Sequence, residues 1–198
     1  EKKGLTFARG LRSILRHDPD KIMVGEIRDQ ETGQIAVQSA LTGHLVFTTV
    51  HANNVFDVIS RMVQMNVDTY SFVSACNGIL AQRLVRMVCP HCAKEARPSA
   101  DLLAESRLDA LEIEEFHFVE GVGCGRCRGT GFKGRLAIAE LLLLDDEIRQ
   151  HLVEKEPILR IKERARAKGL RFLRDSAVDL VRTGRTSLQE INRVTFVS

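Results

Sequence analysis

Apolar positions in the first 87 residues recur with two alternating periods. In LTFARGLRSILR, Ala8, Leu11 and Leu15 share one helical face with Ile14 and Phe7 flanking, while Arg9, Arg12 and Arg16 fall on another arc at i, i+3, i+7. The Asp-Pro-Asp triplet at Asp18–Asp20 ends that helix, because a residue before proline disfavours the helical region. A strand is expected over Ile22–Ile27. ETGQIAVQSALTG predicts a helix with Ile35, Ala36 and Ala40 inward, ending near Gly43. HLVFTTV predicts a second strand, continuous and apolar as in a parallel sheet covered on both faces. Asn53 opens a helix with Val55, Ile59 and Met62 or Val63 inward, and SFVSACNGILAQRLVRMV predicts one more helix. Strand, helix, strand, helix implies crossover connections and a parallel sheet.

The texture changes between Cys89 and Gly134. That segment opens with CPHC, closes with the glycine-rich GVGCGRCRGTGFKG and encloses an acidic amphipathic stretch, ADLLAESRLDALEIEEF. Order returns at Arg135 with a short strand, RLAIAELLLL, and then helices. In TSLQEINRV, Ser187 and Glu190 are spaced as a capping box, with Leu188, Ile191 and Val194 on one face.

Composition narrows the functional classes. The 198 residues are 44% apolar and 28% charged, with a formal net charge of +3, no Trp and one Tyr. Acids and bases are interspersed and base-stacking aromatics are scarce, which argues against a nucleic-acid partner or a membrane-surface binder. No apolar run approaches the roughly 20 residues of a membrane helix, and no signal peptide is present. The chain starts at Glu1, with no initiator methionine, inside a helical pattern; it reads as lacking its natural N-terminal part. The five cysteines form two close pairs plus Cys76, which points to a metal site rather than disulfides.

Two groups of residues carry candidate chemistry. In IMVGEIRD an apolar strand runs into Gly25, Glu26 and Arg28, and His51 stands just past the second strand. Ligands of open parallel sheets bind beyond the carboxyl ends of strands. If these strands are neighbours, a carboxylate and an imidazole meet at one crevice. Singly, Glu26 reads equally well as a helix cap and His51 as a loop histidine. The second group is Cys89-x-x-Cys92 with Cys124-x-x-Cys127. Four thiolates at that spacing suit a closed, structural tetrahedral Zn²⁺ site. Gly125, Gly129 and Gly131 permit turns that aim N–H groups at the sulfurs. His91 reads as a surface residue and Cys76 as a small core residue.

The stretch from Leu5 to Asn54 resembles the secretion ATPases that drive type II secretion and type IV pilus assembly. IMVGEIRD is similar to their Walker B segment, TGHLVFTTVHAN to their His box, and the tetracysteine module with KGRLAIAELLLLDDEIR to the assembly-type members. The resemblance implies an α/β fold: the C-terminal half of a RecA-like parallel-sheet ATPase domain over residues 1–87, an inserted tetracysteine zinc module over 88–134, and a strand plus C-terminal helical segment over 135–198. It implies Glu26 as the Walker B catalytic carboxylate, His44 and His51 as the His-box histidines, and Arg12, Arg16, Arg28 and Arg61 as arginines serving the nucleotide site or subunit contacts. ATP and Mg²⁺ are the implied ligands of the whole protein. Its implied partners are its own copies in a hexamer, an inner-membrane platform protein and the cytoplasmic domain of a membrane recruitment protein. The implied location is cytoplasmic, peripheral at the inner membrane.

One departure matters: G-x-x-x-x-G-K-[ST] occurs nowhere in the 198 residues. The family's phosphate-cradling loop and Asp box are therefore expected upstream of Glu1, and this polypeptide alone is expected not to hydrolyse ATP. Type II secretion is the first reading and type IV pilus extension the alternative. CGRCRGTGF also resembles one repeat of the DnaJ-type zinc modules, but those lack VGEIRD followed by TGHLVFTTVH.

Overall fold

The computed structural model describes residues 6–108 and 113–195. Residues 109–112 of the acidic amphipathic stretch, and the start at Glu1, lie outside the described residues. The chain divides into two compact units, residues 1–80 with 141–170 and residues 81–140 with 171–198.

The first unit runs α1 (Phe7–Leu15), β1 (Lys21–Val24), α2 (Gln30–Leu41), β2 (Leu45–Thr48), α3 (Val55–Gln64) and α4 (Thr69–Ala75), and later α6 (Asp146–Val153) and α7 (Ile158–Ala167). Short polar side chains start most of these helices by accepting otherwise orphaned N–H groups. Thr6 caps α1, Asp29 caps α2, Asn54 caps α3, Asp68 caps α4 and Asp145 caps α6. β1 and β2 pair in parallel, with Ile22 opposite Val46 and Met23 opposite Phe47. Ile22 and Val24 turn to the core, where α2 contributes Ala36 and Val37. Ile35 and Ala40, expected inward, are only half-buried.

The opposite face of this sheet is open among the described residues: Met23 is 65% exposed and Phe47 54%. Coverage on both faces, expected from the unbroken apolar run of β2, therefore holds on one face only. An apolar run records what a strand tolerates, not which layers lie within these 198 residues.

The second unit holds most of β3 (Gly78–Val88), β4 (Ala93–Glu95), α5 (Ala100–Ser106), β5 (Val119–Gly121), most of β6 (Phe132–Leu143), α8 (Leu173–Arg182) and α9 (Leu188–Val194). β3 pairs with β6, and β4 pairs antiparallel with β5. Val85, Ile138, Ala177, Val181, Leu188 and Ile191 form its core.

The helix expected over SFVSACNGILAQRLVRMV is instead helix α4, a break at Cys76 and Asn77 and the eleven-residue strand β3. Leu80, Leu84 and Met87 mimic helical spacing, yet burial alternates, with Ile79 and Val85 in and Leu80, Gln82 and Leu84 out. The turn signal of Asn77-Gly78 marks the break that periodicity alone hid. The capping box of α9 is half made. Ser187 Oγ accepts the Glu190 N–H at 3.3 Å, but the Glu190 carboxylate is bound by Arg86 and Arg193.

Candidate functional site

Both chain exits from the parallel strands are tied together. Thr49 Oγ1 donates to the Gly25 carbonyl at 2.6 Å, and the Ile27 N–H donates to the Thr49 carbonyl at 3.1 Å. That zipper sets Glu26 beside His51, with Oε2 3.6 Å from His51 Nε2. The other oxygen, Oε1, takes an ion pair from Arg28 Nη2 at 2.5 Å. The Arg28 hydrogen bond holds the Glu26 carboxyl below the usual carboxylate range, with the charges of Arg28 and His51 adding to it against a smaller opposing effect of burial. Oε2 is buried and has no hydrogen-bond partner among the described residues. A charged acceptor in that state is poised to receive a donor such as water.

The remaining sequence-derived residues do not all converge there. His44 precedes β2 at the strand's opposite end from His51, and its Nδ1 lies 3.0 Å from the Ser39 carbonyl oxygen, where it closes the end of α2. The structure does not bring His44 to Glu26. Arg12 pairs with Glu31 at 2.8 Å, both exposed. Arg9, Arg12, Ser13 and Arg16 line an open surface depression of about 280 Å³ along α1. Arg61 is exposed on α3. Sequence reasoning did not find Thr49: nothing marks a strand-end threonine as a tie between two loops.

The four cysteines of the second unit converge. Sγ–Sγ distances are 3.9 Å for Cys89–Cys124, 3.8 Å for Cys92–Cys127 and 3.7 Å for Cys124–Cys127, and all four sulfurs lie within 4.8 Å of one another. A tetrahedron with Zn–S bonds near 2.3 Å has edges of about 3.8 Å, so the cluster fits a four-thiolate cation. The Cys89 N–H donates to the Gly131 carbonyl at 2.9 Å, which joins the two knuckles.

Backbone N–H groups do reach the sulfurs. Cys127 Sγ accepts from Cys124 N at 3.1 Å and Gly131 N at 3.3 Å. Burial pushes the Cys127 thiol up, but those two N–H groups, together with the Cys124 and Cys92 thiols, outweigh it and bring it down to about 6. Burial pushes Cys92 up to about 12, against a hydrogen bond from Gly123. Gly131 is irreplaceable on two counts. Its φ is +75°, and a Cβ there would lie 2.3 Å from the Gly121 carbonyl oxygen. His91 is exposed and stands against Arg126 Nη1 at 3.0 Å, outside the sulfur cluster. Cys76 is half-buried, with Sγ 3.6 Å from the Gly78 carbonyl oxygen.

Comparison with known proteins places this geometry. The family described as type II/IV secretion system protein matches residues 1–193. The chain is 49% identical over 188 residues to the type IV pilus assembly ATPase PilB of Thermus thermophilus, covering 95% of this chain and 21% of that protein. It is 45% identical over 195 residues to the type II secretion system ATPase E of Vibrio cholerae, covering 96% and 37%. The chain thus spans about a fifth to two-fifths of the length of these curated relatives. Among solved structures, the pilus retraction motor PilT with bound ADP matches with a TM-score of 0.66 at 25% identity, over 97% of this chain and 44% of that one. The Legionella pneumophila ATPase DotB shares the fold, with a TM-score of 0.65 at 24% identity over 96% and 42%. Among the described residues, no helix is long and apolar enough to cross a membrane.

Proposed function

Since the chain belongs to the type II/IV secretion system protein family, we propose that it forms part of a hexameric ATPase that powers type II protein secretion. In this reading hydrolysis drives subunit motion that assembles a pseudopilus. The protein is cytoplasmic and reaches the inner membrane through a platform protein and the cytoplasmic domain of a recruitment protein. Residues 1–87 contribute the second half of a RecA-like core and residues 88–134 a zinc module.

The observation that carries the proposal is the buried, unpartnered Oε2 of Glu26 at a strand end, with His51 at its side. Arg28 keeps Glu26 ionised, so its task is to accept: it orients the water that attacks a γ-phosphate. Mg²⁺, when bound, neutralises phosphate charge. His51 is 82% exposed at the side chain and can turn to a phosphate oxygen or to a neighbouring subunit. Arg12, Arg16, Arg28 and Arg61 serve phosphate or subunit contacts through guanidinium groups. His44 acts at one remove, by fixing the start of β2. Cys89, Cys92, Cys124 and Cys127 hold Zn²⁺ as a structural ion.

The test uses protein of the relatives' length carrying these residues. Glu26→Gln should lower kcat for ATP at least about 100-fold with nucleotide binding retained; an unchanged kcat refutes the assignment. The 198-residue chain, which contains no G-x-x-x-x-G-K-[ST], should show no appreciable turnover. A second reading, pilus extension, is favoured by the 49% identity to the Thermus thermophilus assembly ATPase. Deleting the gene separates them: loss of exoprotein export supports the first, and loss of surface pili with export intact supports the second.

A further inference from the structure

The α6–α7 turn of the first unit reads His151-Leu-Val-Glu154-Lys-Glu156-Pro157. Lys155 adopts the left-handed conformation, φ +57°. This folds the chain back, so the Glu156 N–H donates to the His151 carbonyl at 3.0 Å. His151 Nδ1 then lies 3.1 Å from Glu156 Oε1, and Nε2 lies 3.8 Å from Glu147 Oε1. Donor atoms of His151, Glu154 and Glu156 all fall within 4.8 Å of one another.

The imidazole is buried, with 9% of the residue exposed, yet neither ring nitrogen has a hydrogen-bond partner among the described residues. Glu156 Oε2 is also buried without one. Glu156 and Glu147 stand at ion-pair distance from the two ring nitrogens, but neither contact is a hydrogen bond. Buried polar atoms are ordinarily satisfied. Here three lone-pair donors surround one point instead. Lys168 is engaged by Asp145 and Glu147, and Arg164 pairs with Glu147 at 3.6 Å and with Glu156 Oε2 at 3.7 Å, the latter a contact that an incoming cation displaces. Glu154 accepts from a neutral amide, Gln150 Nε2 at 2.8 Å.

We propose that His151, Glu154 and Glu156 bind a divalent first-row transition cation, which staples the end of α6 to the start of α7. One imidazole and two carboxylates suit Mn²⁺ or Zn²⁺, whereas the thiolate cluster of the second unit selects softer binding. The site is therefore chemically distinct from the four cysteines.

The experiment titrates the full chain, holding one zinc per chain for the four cysteines and freed of excess zinc, with Mn²⁺ at neutral pH and follows the electron paramagnetic resonance signal of the free ion. One Mn²⁺ per chain should bind. Both His151→Gln and Glu154→Gln should weaken that binding at least about tenfold. Glu154 is exposed, so its substitution tests the site without disturbing packing. Absence of bound Mn²⁺ at millimolar concentration overturns the proposal and leaves a histidine–carboxylate pair. Binding that neither variant changes overturns it as well.

Discussion

Replacing Glu190 by glutamine removes a buried charge that ties α9 to β3. The carboxylate has no exposed side-chain surface and accepts five bonds: Arg86 N at 3.0 Å, Arg86 Nε at 3.0 Å and Nη2 at 2.6 Å, Arg193 Nε at 2.9 Å and Nη2 at 2.7 Å. Burial alone would push its pKa up, but these donors bring it from 4.5 to about 2. A drop of that size corresponds to roughly 3 kcal/mol of folding stability at neutral pH. Truncating a buried pair costs about 3–5 kcal/mol when both partners are enclosed. Arg193 is more than half exposed and screened, so the lower end applies. Because the folded-state pKa lies below the unfolded one, the contribution is complete above pH 4.5 and fades as pH falls toward 2. Urea unfolding followed by circular dichroism should therefore find Glu190→Gln about 3 kcal/mol less stable than wild type at pH 7 and about 2 kcal/mol less at pH 3.5. A deficit below about 1 kcal/mol at pH 7, or one that stays constant on acidification, would refute the reasoning.

Three further outcomes are expected. Gly33→Ala should lower stability by about 1 kcal/mol in chemical denaturation, because overpacking against a buried valine outweighs the gain in helix propensity; the new Cβ would meet Val67 Cγ2 at 2.8 Å. Stability equal to or above wild type would show that Val67 yields. Stripping the metal from the cysteine cluster should open residues 88–134 to limited proteolysis, mapped by mass spectrometry, and an unaltered cleavage pattern would deny the ion a structural role. Arg28→Ala should raise the pH at which Glu26 titrates, read by carboxyl NMR, since the guanidinium is the first cause of its depression; an unmoved titration would remove Arg28 from that account.

The parts of the site legible in sequence were those fixed by short-range rules. Two neighbouring parallel strands put their following residues at the same sheet edge, so Glu26 and His51 could be paired before any coordinates. Two C-x-x-C knuckles constrain four sulfurs almost regardless of the spacer. The misread features depend on long-range partners. Leu80, Leu84 and Met87 fit a helix until the alternating burial of β3 is seen. Glu190 sits three residues after Ser187, as in a capping box, but Arg86, 104 positions earlier, takes its carboxylate. Gly33 lies inside α2, against helix propensity, and the reason is the methyl group of Val67 pressed against it. His44 and His51 share one motif, yet a strand has two ends and each stands at a different one.

The sulfur cluster also has a redox consequence. With Cys127 Sγ accepting two backbone N–H groups and its neighbours 3.7 and 3.8 Å away, loss of the cation would leave a sulfur favoured as thiolate within reach of partner sulfurs. Peroxide should then trap the emptied module as a disulfide, beginning at Cys127, and peptide mapping of oxidised against metal-loaded protein would reveal it. A bound cation would thus act as a chemical protecting group for this part of the chain.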